Sequence, residues 1–131
     1  MSVTEITSMK QLDELRQSNK VVVIGLLSRS GESHELLQFV QAEAHRAKEL
    51  HKNIEFCKVD AERHREIAEH LKIHRLPGAV AFKNRQDIDT VEGFNLGALF
   101  EMMAKVALEN SSPTCTEISW FALSKVYELL D

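Results

Sequence analysis

Three long runs of hydrophobic residues, with little polar interruption, predict the interior strands of a sheet. The first two are VVVIGLL at Val21–Leu27 and IEFCKVD at Ile54–Asp60, and the third covers about Ala79–Lys83. Runs of this length rich in β-branched residues are typical of strands buried on both faces of a sheet. Val3–Ile6 and the segment IDTVEG (88–93) are further strand candidates. The pattern therefore predicts four to five strands.

Helical spacing fills the intervals between these strands. Ser8 and Gln11 form a candidate capping box for a first helix reaching about Gln17. A long helix is predicted from Ser33 to about Leu50, and two more follow the second and last strands. Their buried positions recur every three or four residues: Leu36, Phe39, Val40, Ala44 and Ala47; then Ile67, Ala68 and Leu71; then Leu96, Leu99, Phe100, Met103 and Ala107. Alternating strands and helices, closed by two adjacent strands and a helix, predict an α/β fold.

The end of the chain has a different pattern. After Asn110 the segment NSSPT is typical of a linker, and Thr114 with Glu117 forms a second candidate capping box. A helix from there to Leu130 has an apolar arc wider than one sheet face requires. We therefore predict a core domain at 1–109 and a linker with an amphipathic helix at 110–131. That helix packs on its own domain or docks on another protein, with these candidate anchors: Ile118, Trp120, Phe121 and Tyr127.

Composition excludes several classes of function. The net charge of −4 and the lack of a basic block argue against nucleic-acid binding. No apolar run approaches the roughly 18 residues of a membrane span, and no leader sequence opens the chain. The two cysteines, Cys57 and Cys115, form no motif, and the six histidines show no metal-ligand spacing. The expectation is an intracellular, cytoplasmic protein with no membrane association, no metal and no cofactor.

The segment IEFCKVDAERHREIAEHLKIHRLPGAVAFKNRQDIDTVEG resembles the second half of a thioredoxin. The strand end KVD, an X-Pro before the next strand, FKN at the end of that strand, and a closing glycine carry the resemblance. The order of strands and helices is also similar, over about Val3–Leu108. This resemblance implies a thioredoxin fold, a central mixed sheet of four to five strands flanked by helices, with an appended C-terminal helix. It identifies Pro77 as the family's cis-proline and Leu76 as the residue whose backbone pairs with an extended substrate.

The same resemblance aligns SGES with the family's Cys-Gly-Pro-Cys turn. Ser30 and Ser33 take the cysteine positions, with Gly31 and Glu32 between them. Disulfide exchange needs a thiolate and a second thiol, and a serine hydroxyl forms no disulfide. The aligned positions for the family's tryptophan, buried acid and helix proline are also changed, to Arg29, Ile24 and Gln38. We therefore expect a redox-inactive chain that is not an enzyme, in which the hydroxyl of Ser33 or Ser30 caps the helix.

The expected role is then a binding or structural module, an adaptor or subunit of a larger complex. Its partner would be another protein, held by the C-terminal helix or by a groove at the cis-proline with this rim: Arg29, Arg75, Leu76, Gly78 and Gly93. Two alternatives remain open. One is a glutathione-binding or transferase-like enzyme using Ser30, because some glutathione transferases hold the thiolate with a serine at this position. The other is a thiol-dependent redox protein using Cys57 and Cys115.

Overall fold

The computed structural model describes residues 3–18, 20–50 and 52–109. Five strands and four helices alternate along this part of the chain. In order they are β1 (Val3–Glu5), α1 (Met9–Arg16), β2 (Val21–Leu27), α2 (Gly31–Glu49), β3 (Ile54–Asp60), α3 (Arg65–His70), β4 (Gly78–Lys83), β5 (Gln86–Glu92) and α4 (Leu96–Glu109).

The strands form one mixed sheet in the order β1-β3-β2-β4-β5. Strands β1, β3 and β2 run parallel, and β4 and β5 are antiparallel to their neighbours. Strand β2 lies at the centre, with Val21–Leu26 buried. Its uninterrupted apolar sequence is explained by this position, because both faces of a central strand are covered.

Each face of the sheet packs against two helices. Val21 and Val23 of β2 lie in one core cluster with apolar residues of α2 and α4, among them Leu36 and Met103. The alternate β2 residues lie in a second cluster with α1 and α3, which contribute Leu12, Ile67 and Ala68. The two clusters divide β2 by the period of two that a strand imposes.

Most predicted boundaries agree with the structure, and the differences have local causes. The hydroxyl of Ser8 accepts the N–H of Gln11 at 3.3 Å, which confirms this helix cap. Strand β5 begins at Gln86, earlier than the apolar residues suggested, because Lys83 pairs directly with Gln86. The two-residue turn between them uses Asn84 at φ 58°, a left-handed conformation that asparagine tolerates well.

The prediction of a thioredoxin fold with a central mixed sheet flanked by helices is confirmed. Among the described helices none is long and apolar enough to cross a membrane. The appended helix predicted at 110–131, with its candidate anchors, lies outside the described residues, so this domain division stays a prediction. The cytoplasmic location and the protein partner likewise stay predictions.

Candidate functional site

The sheet register brings four chain segments together at one edge. Leu26 at the end of β2 pairs with Gly78 at the start of β4, so Ser28 and Pro77 lie just beyond the same edge. Leu27 pairs with Asp60 at the end of β3, and Glu92 at the end of β5 pairs with Gly78. The turn into α2 and the segment before β4 therefore face the same region of solvent.

Three serine hydroxyls form a cluster where β2 turns into α2. The Oγ of Ser28 lies 3.0 Å from the Oγ of Ser33 and 3.2 Å from that of Ser30. The remaining pair, Ser30 and Ser33, are 3.3 Å apart. Ser33 is buried, Ser28 is half-buried and Ser30 is exposed, so the cluster opens to solvent on one side. We call these three residues the serine cluster.

The predicted capping role of these hydroxyls is wrong. Ser30 is the N-cap of α2, but its side chain makes no capping hydrogen bond. The Oγ of Ser33 instead accepts the backbone N–H of Ser28 at 2.8 Å, an N–H that precedes the helix. The hydroxyls contact one another and the N–H groups of Ser28 and Ser30, while the Ser33 N–H donates to the Ser30 carbonyl oxygen at 3.1 Å. The start of α2 is therefore open only in the sense that no side chain caps its first turn.

The Leu76–Pro77 peptide bond is cis. Pro77 is buried, and Leu76 is half-buried against the core cluster that contains Ile73. Gly78 is buried as well, and a Cβ there would lie 3.1 Å from the carbonyl oxygen of Val91. Gly78 therefore lies below the surface of this edge, and its inclusion in the predicted rim is wrong.

Two guanidinium groups lie at the rim. The Nε of Arg29 lies 3.4 Å from a carboxylate oxygen of Glu62, and the Arg29 side chain is 96% exposed. The Arg75 guanidinium lies against Gly93, where an added Cβ would be 3.6 Å from its Nη2. Gly93 has φ 76°, which glycine adopts without the steric cost of a side chain. An exposed ion pair such as Arg29–Glu62 contributes little to stability.

Glu92 holds the backbone before the cis peptide bond, a contact that the sequence did not predict. Its Oε1 accepts the backbone N–H of His74 at 2.5 Å and that of Arg75 at 3.4 Å. The pKa of Glu92 is lowered, chiefly by the His74 N–H; desolvation opposes this, and the Arg75 N–H and the side-chain charges of His74 and Arg75 add smaller lowering effects. A carboxylate 17 to 18 residues from its donors carries no local sequence signal.

The thiol of Cys57 lies away from this edge, in the middle of β3. It is fully buried, and burial together with the charge of Glu55 raises its pKa to about 12. Since the thiolate is the reactive form, this thiol is protonated at neutral pH and shielded from solvent. Cys57 lies in a hydrophobic core cluster, where a cysteine packs as a small hydrophobic residue. Cys115 lies outside the described residues, as do Ile118, Trp120, Phe121 and Tyr127.

Within the described ranges, no group of three or more histidine, cysteine, aspartate or glutamate side chains could hold a metal ion.

Comparison with known proteins places this geometry in a family. The family model for thioredoxin matches residues 3–105. A thioredoxin of Malassezia sympodialis is 28% identical with a TM-score of 0.70, covering 84% of this chain and 92% of its own. A cysteine-to-serine mutant of an Entamoeba histolytica thioredoxin is 27% identical with a TM-score of 0.67, covering 77% of this chain and 96% of its own. No curated protein sequence matches the chain.

A third similar structure comes from a study of the thiol resolving mechanism of a yeast mitochondrial 1-Cys peroxiredoxin via glutathione/thioredoxin systems. It is 25% identical with a TM-score of 0.64, covering 76% of this chain and 92% of its own.

These comparisons correct the function predicted from the sequence. A redox-inactive adaptor was expected from the two serines, but the family model and the similar structures are those of thioredoxins, which are thiol redox proteins. The thiol-dependent alternative fits better, and the expectation that the chain is not an enzyme conflicts with the same comparisons. The serines restrict how a thiol function could work, because they supply no thiol.

Proposed function

Because the chain belongs to the thioredoxin family, we propose that it takes part in thiol–disulfide exchange with the attacking thiol supplied by a bound peptide. The peptide is of the glutathione class, with one cysteine and free carboxylates. Its sulfur would lie at the serine cluster, where a thioredoxin has its own cysteines. The observation that supports this most is the position of three mutually bonded hydroxyls at the open start of α2, beside the cis-proline.

The chain's own described thiol argues for an external one. With its pKa raised to about 12, roughly one Cys57 side chain in 10⁵ is ionised at pH 7. Burial also denies a disulfide access to that sulfur. A thiol redox function at the sheet edge therefore needs sulfur that arrives with a ligand.

The serine cluster suits a thiolate. Serine hydroxyls rotate freely, so protons now shared among Ser28, Ser30 and Ser33 can turn toward a sulfur anion. Helix α2 has 19 residues, and the positive end of its dipole lies at this turn. Both effects favour the ionised form of a bound thiol, as a helix N-terminus does for cysteines placed there. Glu32 in the first turn opposes them from the helix surface.

In the proposed exchange, no side chain of the protein forms or breaks a covalent bond. The bound thiolate attacks one sulfur of a disulfide, a new sulfur–sulfur bond forms, and the old one breaks. The departing sulfur leaves as a thiolate and takes a proton from solvent. The ligand sulfur is then joined to one target sulfur in a mixed disulfide, and the other target sulfur has become a thiol. A second ligand thiolate from solution attacks the ligand sulfur of the mixed disulfide, which forms the oxidised ligand dimer and releases the remaining target sulfur as a thiol.

The rim supplies counter-charge for the rest of the ligand. Arg29 and Arg75 are exposed on either side of the edge, and guanidinium groups bind carboxylates by two parallel hydrogen bonds. The backbone of Leu76 is the pairing partner for the ligand's peptide group, as the family resemblance implies. The similar yeast structure from work on glutathione/thioredoxin systems is consistent with this ligand class.

Titration of the full chain with reduced glutathione, followed by amide NMR, tests this proposal. Saturable shifts are expected in the segments 28–34 and 74–78. The Ser30→Ala/Ser33→Ala variant should lose most of the affinity, and S-methylglutathione, which has no free thiol, should bind less well than glutathione. Ser18→Ala is the matched control, because Ser18 precedes β2 and Ser28 follows it, so they lie at opposite ends of a seven-residue strand.

Two results would overturn the proposal. One is the absence of saturable shifts, and the other is equal binding by the double alanine variant and the Ser18→Ala control. The Cys115→Ala variant tests whether the chain's own Cys115 thiol is the attacking one. Its rate of catalysed exchange between glutathione and a small disulfide should equal that of the unmodified chain. Loss of exchange in Cys115→Ala would show that the attacking thiol is the chain's own.

A further inference from the structure

The segment His74–Arg75 precedes the cis peptide bond and is held by the end of β5. The Glu92 carboxylate accepts both backbone N–H groups of the segment, at 2.5 Å and 3.4 Å. The next residue, Gly93, turns at φ 76° and lies beside the Arg75 guanidinium, which a Cβ at this position would contact at 3.6 Å. Residues 92 and 93 therefore contact both the backbone and a side chain of this segment.

These contacts determine where Leu76 lies. Two covalent bonds separate the Arg75 carbonyl carbon from the Leu76 Cα, and Pro77 is buried against the sheet. The Leu76 backbone is thus fixed between a buried proline on one side and the Glu92 hydrogen bonds on the other. Charge-assisted hydrogen bonds of this kind are shorter and stronger than neutral ones.

We propose that Glu92 is a positioning residue, which orients the Leu76 backbone for the ligand by holding the His74–Arg75 backbone. The inference rests on the proposed function for its ligand, and on the two hydrogen bonds for its mechanism. Glu92 itself need not touch the ligand. Its role differs from that of Arg29 and Arg75, which would bind the ligand directly.

The charge state of Glu92 supports this role. The pKa of Glu92 lies below its ordinary value, chiefly because the His74 N–H stabilises the carboxylate. The charged groups that act on it are the side chains of His74 and Arg75, and its β4 neighbour across the ladder is Gly78, which is uncharged. Since the folded pKa is lowered, the contact is present at neutral pH and is lost as pH falls through that lowered pKa.

The test compares Glu92→Ala, Glu92→Gln and a matched control for glutathione affinity. Asp89→Ala is the control, because Asp89 is another β5 carboxylate that accepts a backbone N–H, that of Thr90 at 2.9 Å, and lies apart from the edge. Glu92→Ala should bind about tenfold more weakly, equivalent to about 1.4 kcal/mol. Glu92→Gln keeps an oxygen acceptor and should recover most of the affinity, while Asp89→Ala should bind normally. Unchanged affinity in Glu92→Ala, or an equal loss in Asp89→Ala, would overturn the inference.

A second readout separates this inference from the proposed function. The His74 amide resonance should titrate with the Glu92 carboxyl below the ordinary glutamate range of about pH 4.3, and Glu92→Gln should abolish that titration. If no variant binds glutathione but the His74 resonance behaves as expected, the proposed ligand is wrong and the positioning contact stands. If the resonance does not titrate, the contact is wrong.

Discussion

Cys57 lies on β3 and the serine cluster follows the neighbouring strand β2, and the two differ in almost every property that thiol chemistry needs. Cys57 is opposite Ile24 in the middle of the sheet, three residues or roughly 10 Å from the edge. The serine cluster lies beyond that edge, open to solvent and at the positive end of α2. The thiol has no access to a substrate, and the accessible position has no thiol. A ligand that brings its own sulfur reconciles the two.

The largest expected effect is in thiol reactivity. Ser30→Cys places an exposed thiol at the helix start, where its pKa should not exceed the ordinary 9.0, whereas the pKa of Cys57 is raised to about 12. The difference in thiolate fraction at pH 7 is about 10³-fold, and alkylation should differ by at least that factor. Peptide mapping after iodoacetamide treatment measures both sites in one sample, with Ser18→Cys as an exposed reference. If Cys57 in the folded chain were alkylated as fast as the cysteine introduced by Ser30→Cys, the contrast between a shielded thiol and an accessible site would be wrong.

The next effect is a dependence of stability on alkaline pH. The pKa of Cys57 is raised from an ordinary 9.0 to about 12, so the unfolded chain ionises first. Keeping Cys57 protonated in the folded chain contributes fully to the free energy of unfolding below about pH 9. This contribution is lost as pH rises through the folded pKa, by up to about 1.4 kcal/mol per pH unit. Urea unfolding of the unmodified chain and of Cys57→Ala between pH 8 and about pH 10 should diverge in this direction. Parallel pH profiles would show that Cys57 is less buried than the structure indicates.

A smaller effect is the difference in stability between variants of the buried Ser33 and the exposed Ser30. Ser33→Ala removes the buried acceptor of the Ser28 N–H and should lower the free energy of unfolding by about 1 kcal/mol. Ser30→Ala removes an exposed hydroxyl and should change it by less than about 0.5 kcal/mol. Both should reduce glutathione affinity, so affinity and stability separate in Ser30→Ala. A stability loss in Ser30→Ala equal to that in Ser33→Ala would count against this division.

The smallest effect concerns Glu32. Its carboxylate stabilises the helix start but repels a bound thiolate, so Glu32→Gln should raise glutathione affinity by about twofold at low salt. The gain should shrink as ionic strength rises, because exposed charges are screened. Isothermal titration at two salt concentrations checks this. A loss of affinity in Glu32→Gln would mean that Glu32 contacts the ligand favourably.

The fold could be predicted because its signals are local. The run Val21–Leu27 encodes a strand covered on both faces, and Ser8 with Gln11 encodes the first helix start. The site was harder for two physical reasons. Glu92 reaches His74 across 18 residues, which no periodicity reveals. Ser33 was expected to cap α2 because serine usually does so, but the neighbouring Ser28 offered its hydroxyl and its N–H instead.

The functional prediction failed for a different reason. Two missing cysteines were taken to mean that the chemistry itself was lost, but the family model and the similar structures point to thiol redox function. The strand ends that meet at this edge and the N-terminus of α2 come from the backbone and the sheet register, so they do not depend on those two side chains. Arg29 and Arg75 are side chains particular to this sequence, and they add positive charge at the rim.

The measurement that tests the central claim most directly is the rate of exchange between reduced glutathione and hydroxyethyl disulfide at neutral pH. The full chain should accelerate this exchange above the uncatalysed rate, Cys57→Ala and Cys115→Ala should retain the acceleration, and Ser30→Ala/Ser33→Ala should lose most of it. No acceleration by the full chain, or full acceleration by the double alanine variant, would contradict the claim that the serine cluster holds an external thiol.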